Sequence, residues 1–284
     1  MIKAIQIAYN ADFALKCKIA TEAGFRHIAV NFNDMQDNSD AAFDRAPEHI
    51  LRILEENGLT CVQTHLPYYD LRISVEELDA DFERRILRSI EAGGKIGAPW
   101  QVYHPRSAVN AGFRRDVALQ KNREVIEGYL TCAAKHNSGI ALENLPIFSG
   151  IVPSMPFYRC DYGDLCELND FLGAENVGIC WDTGHANMMH FDQSAAIRYL
   201  GSRIKCTHIH NNDSRKDEHY PPDMGNISWK PFMEAFRSVE DQGPFTLETH
   251  CLYPEENLLR SFAKHNFAGL VYMEGLCQQK EETI

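Results

Sequence analysis

The sequence predicts a closed barrel of eight parallel β-strands surrounded by helices, the α/β fold known as the (β/α)8 TIM barrel. Short apolar runs alternate with stretches of helical periodicity along the chain, which is typical of parallel strands joined by crossover helices. The 284 residues hold about eight such units. An open doubly wound sheet is disfavoured because no glycine-rich phosphate loop follows the first strand at Ile7–Ala11. We therefore expect residues 1–284 to form a single domain.

Glycines divide the predicted helices from the predicted strands. A glycine just past a helix supplies the left-handed conformation that closes the last turn. The glycines in this position are Gly24, Gly58, Gly97, Gly139, Gly173, Gly201 and Gly243. Together with the N-terminal run, the apolar segments predict the strands Ile2–Tyr9, Phe25–Asn31, Leu59–His65, Ala98–His104, Ile140–Asn144, Val177–Asp182, Arg203–His210 and Pro244–Thr249.

Helix starts are marked as well. The capping box Ser74-Val75-Glu76-Glu77 predicts a helix that runs towards Gly97. The irregular stretch Phe148–Cys160 predicts a long loop over the barrel mouth. The predicted N-caps are Asp12, Asp161 and Asp192, and the predicted first-turn prolines are Pro47 and Pro231.

Composition excludes several classes of protein. The chain has 40 acidic and 28 basic side chains and a formal net charge of −12, which argues against nucleic acid or an anionic membrane as its partner. No window approaches the roughly 18 apolar residues of a membrane span. The nine cysteines form no C-x-x-C pair, and with no secretory leader they are typical of reduced thiols. We therefore expect a cytoplasmic protein.

Six consecutive predicted strands end in a histidine, an aspartate or a glutamate. Steps of 39 residues separate the first four of them, as expected if one rim position recurs in every βα unit. The six residues are His65, His104, Glu143, Asp182, His208 and Glu248. Two positions earlier, on the same strand face, small or apolar residues are predicted to fill the barrel interior. They are Val102, Ala141, Cys180, Cys206 and Thr246.

Chemistry in this fold is located at the C-terminal rim of the barrel. Burying several carboxylates together without a cation is costly, so Glu143, Asp182, His208 and Glu248 predict one bound divalent metal ion. An oxygen-rich set favours Mn²⁺, Mg²⁺ or Co²⁺ and allows Zn²⁺. The ion would polarise a carbonyl, with Glu143 and Glu248 as an acid/base pair. His185, on the turn after Asp182, is placed to hold a substrate oxygen.

These residues also carry a family resemblance. The motifs are Glu143-Asn144, Asp182-Thr183-Gly184-His185, His208-Ile209-His210, Asp217–Pro222 leading to Gly225 and Trp229, and Glu248. Over nearly the whole chain they resemble the xylose isomerase-like TIM-barrel superfamily, in particular its sugar phosphate isomerase/epimerase and endonuclease IV branch. In ketose epimerases and inositol-pathway enzymes of this group, residues similar to the four proposed ligands bind one divalent metal, and the two glutamates are the acid/base pair.

The resemblance implies a sugar or sugar-phosphate isomerase or epimerase that moves a proton next to a carbonyl. Its partner would be a small carbohydrate, and a homo-oligomer is compatible with the sequence. A dehydratase of a related polyhydroxy ketone, similar to inosose dehydratase, would use the same residues. We expect substrate contacts from His65, His104, His185, Asp217 and His219. Candidate pocket walls are Tyr68, Tyr69, Trp100, Phe148 and Trp229.

Endonuclease IV implies an alternative, because it binds three zinc ions. The similar residues here are His65, His104, Glu143, Asp182, His185, His208, Asp217, His219 and Glu248. Additional zinc at the five predicted substrate contacts would then give a phosphodiesterase for abasic DNA. The loops lack the run of basic residues with interleaved aromatics that grips a DNA backbone. The basic candidates are Arg72, Arg106, Arg114, Arg115, Arg215 and Lys216.

Two further alternatives are weaker. Ketose 3-epimerases of the family carry an arginine six residues after the metal-binding histidine, where this chain has Ser214, and a second glutamate where it has Ser149. Those differences argue against that specific activity. A non-catalytic sugar-binding or partner subunit is disfavoured because the predicted ligand set is complete.

Overall fold

The computed structural model describes residues 1–68, 80–106, 115–146, 161–240 and 243–276. Within these ranges, eight parallel strands pair in chain order and close into a barrel. Their bounds are β1 Lys3–Ala8, β2 His27–Asn31, β3 Thr60–His65, β4 Trp100–Tyr103, β5 Gly139–Glu143, β6 Val177–Asp182, β7 Ile204–Ile209 and β8 Phe245–Leu247. The predicted fold is confirmed.

Helices surround the barrel between successive strands. They are α1 Phe13–Ala23, α2 Asp40–Asn57, α3 Ala80–Lys95, α4 Arg115–Ala134, α5 Tyr162–Leu172, α6 Thr183–Met188, α7 Gln193–Leu200, α8 Trp229–Arg237 and α9 Glu256–Leu276. None of the helices in the described ranges combines the length and apolarity that crossing a bilayer requires.

The barrel has an interior separate from the larger core between strands and helices. Val102, Ala141, Cys180 and Cys206 form their own buried cluster, and Thr246 donates a hydrogen bond to Gln63 Oε1 at 3.0 Å. Small side chains below the rim leave the space above them to the ionisable residues. The predicted inward face of the strands is therefore confirmed.

Six of the seven predicted glycine stops adopt a positive φ, and Gly139 is the exception. It lies within β5, and Asn137, with φ 54°, takes the left-handed conformation after α4 instead. A Cβ on Gly139 would overlap the Trp100 ring and crowd the Asn176 carbonyl oxygen. Glycine is thus required here by close packing and not by backbone conformation.

The predicted caps are partly correct. Asp161 and Asp192 accept hydrogen bonds from the backbone amides of Gly163 and Ala195, whereas the Asp12 side chain makes no such bond. Pro231 lies in the first turn of α8. The capping box at 74–77 and the stretch 148–160 lie outside the described residues.

Pro47 is inside α2, contrary to the first-turn prediction, because this helix starts earlier in the chain. Ser39 is its N-cap and accepts a hydrogen bond from the Ala42 amide at 3.2 Å.

Gly243 and Gly58 give a matched test of crowding. Both have a left-handed φ, 69° and 62°, but a Cβ on Gly243 would overlap the Lys205 carbonyl oxygen, whereas nothing lies within 4 Å of one on Gly58. We expect Gly58→Ala to lower the free energy of unfolding by about 1 kcal/mol. Gly243→Ala should cost about 1–3 kcal/mol more, since backbone must also move. Urea denaturation of both variants measures the difference, and equal losses would contradict it.

Candidate metal centre

The ends of four neighbouring strands bring the predicted ligand set together at the C-terminal rim. One ligand atom from each of Glu143, Asp182, His208 and Glu248 lies within 4.8 Å of the others. The first three are at most 1% exposed and Glu248 is 8% exposed. The 39-residue step from Glu143 to Asp182 therefore corresponds to neighbouring positions in space.

The His208 ring presents its Nδ1 atom to the carboxylates. Nδ1 is 2.9 Å from Glu143 Oε1, 3.1 Å from Glu248 Oε2 and 3.9 Å from Asp182 Oδ2. Gln6 Nε2 donates a hydrogen bond to Glu248 Oε1 at 2.6 Å and fixes the position of that carboxylate. Sequence reasoning missed Gln6, because an amide in the middle of β1 carries no motif.

Burial and neighbouring charges shift the pKa values of Glu143, Glu248 and His208 in opposite directions. Burial opposes ionisation of Glu143, but His208 and His104 outweigh it and hold the pKa of this carboxyl well below its usual range. Burial also opposes ionisation of Glu248, yet His208 and His219 lower the pKa of this carboxyl as well. The neighbouring carboxylates and the Cys180 thiol overcome the burial of His208 and raise its pKa well above the ordinary value. The carboxylates around His208 therefore favour its protonated form in the metal-free protein.

A second group of possible ligands lies beside the first. Its ligand atoms, from His185, His210, Asp217 and His219, are also within 4.8 Å of one another. His210 Nε2 is 3.0 Å from both Asp182 oxygens, so Asp182 joins the two groups. His210 was left out of the predicted site, although it shares a strand face with His208 two residues earlier.

Glu143 similarly joins the set to a third group, which it forms with His65 and His104. Its Oε2 atom is 2.9 Å from His104 Nε2 and 3.3 Å from His65 Nε2. All the predicted metal ligands and predicted substrate contacts are therefore found at this rim.

Three of these histidines are oriented by backbone carbonyls. The Nδ1–H groups of His65, His185 and His219 donate to the carbonyl oxygens of Leu66, Asn144 and Glu248 at 2.7, 2.9 and 2.8 Å. When each ring is neutral, this bond leaves the Nε2 lone pair directed into the site. Metal-binding histidines in proteins are commonly held in this way.

The donor sets fit metal ions of two kinds. Three carboxylates and one imidazole in the first group favour Mn²⁺, Mg²⁺ or Co²⁺, whereas three imidazoles and one carboxylate in the second favour Zn²⁺. Within the described residues, Asp217 Oδ1 is a buried oxygen without a hydrogen-bond partner. A cation bound by the second group would satisfy this oxygen.

Metal binding to the second group should release protons. Burial lowers the pKa of His219, but Asp217 more than compensates and raises it to about 9. Near pH 7.5 this imidazole is therefore protonated, and a cation must displace its proton. We expect calorimetric heats of zinc binding to vary with the ionisation enthalpy of the buffer, corresponding to about one proton from this ring. The number of protons released should diminish above pH 9, and it should be smaller by about one in His219→Gln. A heat of binding that does not depend on the buffer would contradict this prediction.

The walls of the site agree only partly with prediction. The ring of Tyr68 stacks on that of His104 at 5.1 Å between centroids. Trp100 and Trp229 are not pocket walls: Trp100 begins β4 at the opposite end of the barrel, and the buried Trp229 donates to the Pro222 carbonyl oxygen. Tyr69 and Phe148 lie outside the described residues.

The described arginines near the rim are engaged in ion pairs. Arg106 is buried and pairs with Glu83, Arg115 pairs with Asp164, and Arg215 pairs with Asp213. Ser214 is a turn residue with φ 70°, hydrogen-bonded to Asn226. Arg72 and Arg114 lie outside the described residues.

Comparison with known proteins relates this geometry to others. The chain is 25% identical over 272 residues to the uncharacterized protein y4fM of Sinorhizobium fredii, covering 85% of this chain and 82% of that one. Its structure is similar to that of 3-keto-D-glucoside 4-epimerase YcjR from E. coli, with a TM-score of 0.74, 16% identity and coverage of 97% and 99%. D-psicose 3-epimerase from Clostridium cellulolyticum H10 gives a TM-score of 0.73, 15% identity and coverage of 97% and 99%. These structural similarities establish the fold.

Family membership follows from a broader match. A family model described as xylose isomerase-like TIM barrel matches residues 17–265, a range that contains every ligand candidate at the rim. The protein belongs to the xylose isomerase-like TIM barrel family.

Proposed function

We propose that this protein is a divalent-metal-dependent isomerase or epimerase that acts on a sugar or sugar derivative by moving a proton at the carbon next to a carbonyl. One observation carries the proposal: two glutamates and an aspartate converge on one imidazole within 4.8 Å. That arrangement provides a cation site and two carboxylates beside it. The names of the similar structures, which are epimerases of a keto-glucoside and of psicose, support the same class of substrate.

Each residue then has a defined task. Glu143, Asp182, His208 and Glu248 would hold the ion, which supplies polarisation of the substrate carbonyl when bound. Glu248 removes or returns the proton on one face of the carbon, and Glu143 does so on the other. Gln6 holds Glu248 Oε1 in place. His185, His219 and Asp217 would hold substrate oxygens or a further ion.

Solvent exchange tests this proposal directly. Metal-loaded protein is incubated in D₂O with a panel of ketoses, keto-glycosides and sugar phosphates. We expect deuterium to enter a substrate at the carbon beside the carbonyl, and NMR measures this incorporation. A product that contains one water fewer than the substrate would identify the dehydratase instead. Absence of exchange across the whole panel would count against the proposal.

A second candidate function is a zinc phosphodiesterase. It is favoured by the two histidine-rich groups beside the first set, one of which contains Glu143 while the other contacts Asp182 through His210. Together they offer sites for additional zinc at His65, His104, His185, Asp217 and His219. The ion-paired arginines and the net charge of −12 disfavour a DNA backbone as substrate. Elemental analysis separates the two: about three zinc ions per chain with cleavage of abasic DNA supports the phosphodiesterase, and one tightly held ion without cleavage supports the sugar enzyme.

A further inference from the structure

The barrel wall opens between β1 and β8 next to Glu248. These strands pair only along Lys3–Ile5 and Phe245–Leu247. Beyond that point the amide of Glu248 donates to the Ile209 carbonyl, and the amide of His250 donates to the His219 carbonyl, both at 3.1 Å. The chain after β8 thus follows the β7 side of the barrel and leaves the upper part of β1 without a strand partner on this side, among the residues described.

A cavity of about 530 Å³ occupies this opening. Gln6 and Glu248 line it at the metal-centre end. Its wall continues along α1 and α9, where it includes Ile19, Ala20, Phe262 and Ala263. The volume lies within the range of small-molecule pockets. A ligand that reaches Glu248 can therefore extend away from the rim, between these two helices.

The part of the wall supplied by α1 and α9 favours an apolar ligand. Ile19, Ala20, Leu259, Phe262 and Ala263 line it together with Ile5 and Ile7 of β1, whereas Asn10, Asn31, Thr249 and His250 add uncharged polar groups to the rest of the lining. The charged lining consists of the carboxylates of Asp12, Asp34 and Glu248 and one ammonium, Lys16, so an anionic group would meet net repulsion. At the β8–α9 end of the lining, Leu252 and Tyr253 are 83% and 61% exposed, and large exposed apolar side chains together are typical of binding surfaces.

We propose that this cavity binds a neutral, apolar substituent of the substrate, while the reacting carbon lies at Glu248. The substrate is then a glycoside or another sugar derivative with an alkyl or aryl group, in place of a free sugar or a sugar phosphate. The identity of the reacting end rests on the proposed function. The preference of the cavity itself does not, and it can be measured without metal or turnover.

The preference of the cavity for apolar groups can be measured at Cys251, because this half-buried free thiol lines the cavity. Metal-stripped protein is equilibrated with diethyl, dipropyl, dibutyl or dihexyl disulfide in a fixed excess of 2-mercaptoethanol. The Cys251 thiol exchanges with the disulfide to form a mixed disulfide and releases one alkyl thiol. Mass spectrometry then measures the fraction of each cysteine that carries the alkyl group. We expect capture at Cys251 to rise about fourfold per added methylene over the short chains, and to fall for a chain of equal length that ends in a carboxylate. Cys132, half-buried on α4, should show no such trend.

Filling the cavity should remove the preference. Ala20→Leu in α1 and Ala263→Leu in α9 each narrow the cavity from a different helix. The melting temperature of both variants is measured, and if one variant is destabilised the other is used for the test. The length dependence should disappear in either, whereas Lys16→Met should retain it. A flat series in the parent protein, or a carboxylate preference that Lys16→Met abolishes, would overturn the proposal. Neither result would bear on the isomerase assignment, which the deuterium-exchange experiment tests separately.

Discussion

Glu248→Gln is expected to reduce deuterium exchange into the substrate by at least about 10²–10⁴-fold, the usual contribution of a general acid or base. The amide keeps an oxygen on the metal side but cannot take up a proton at neutral pH. Gln6 Nε2 now donates to Glu248 Oε1 at 2.6 Å. In the variant the Gln6 amide must turn over, so that its Oε1 atom, which has no hydrogen-bond partner among the described residues, accepts from the new amide nitrogen. Metal content should therefore be largely retained while exchange is lost. Exchange kinetics and elemental analysis of the same preparation measure both.

The control for this substitution is Glu274→Gln, which removes a surface carboxylate paired with Lys3 and should leave exchange unchanged. Glu143→Gln should lose exchange as Glu248→Gln does, since the two carboxylates serve opposite faces of the carbon. Full activity in Glu248→Gln would refute the acid/base assignment.

Asp182→Asn is expected to weaken metal binding more than any other single amide substitution at the rim. Asp182 is fully buried, it is one of the four ligands of the first group, and its oxygens lie 3.0 Å from His210 of the second group. Because replacing even residues behind a ligand costs about 10–100-fold in affinity, losing a direct ligand should cost at least about 100-fold. Titration of the metal-free protein with Mn²⁺ and Zn²⁺ measures this loss.

Asp217→Asn is the matched comparison, because Asp217 belongs to the second group alone. It should weaken binding of a second ion and leave the first ion and its affinity in place. If both variants lost the first ion equally, the division of the rim into two groups would be wrong. If neither lost any, these carboxylates would not be ligands.

The layout of the rim could be predicted from sequence because it follows from geometry that repeats. One βα unit occupies about 39 residues in the middle of this chain, so His65, His104, Glu143 and Asp182 recur at one height. Strand alternation then determined which face they share, and the small residues two positions earlier occupy the interior as expected. The family motifs identified Asp217 and His219, which lie in a loop and have no strand periodicity.

Other contacts depend on parts of the chain that are distant in sequence. Gln6 reaches Glu248 only because β1 and β8 become neighbours when the barrel closes. Asn144 and Asp182 exchange two hydrogen bonds, at 2.9 and 2.7 Å, that tie the ends of β5 and β6 together. The cavity beside Glu248 arises where β8 ends at Leu247 and the chain turns towards β7. No local pattern specifies such features.

Reversible metal dependence of proton exchange tests the central claim most directly. Protein stripped with a chelator is assayed in D₂O with the best substrate of the panel, before and after one equivalent of Mn²⁺, Co²⁺, Mg²⁺ or Zn²⁺ is added. The account predicts that exchange disappears on stripping, returns with one ion per chain, and does not return in Asp182→Asn. Undiminished exchange in the stripped protein, or full recovery in Asp182→Asn, would contradict it.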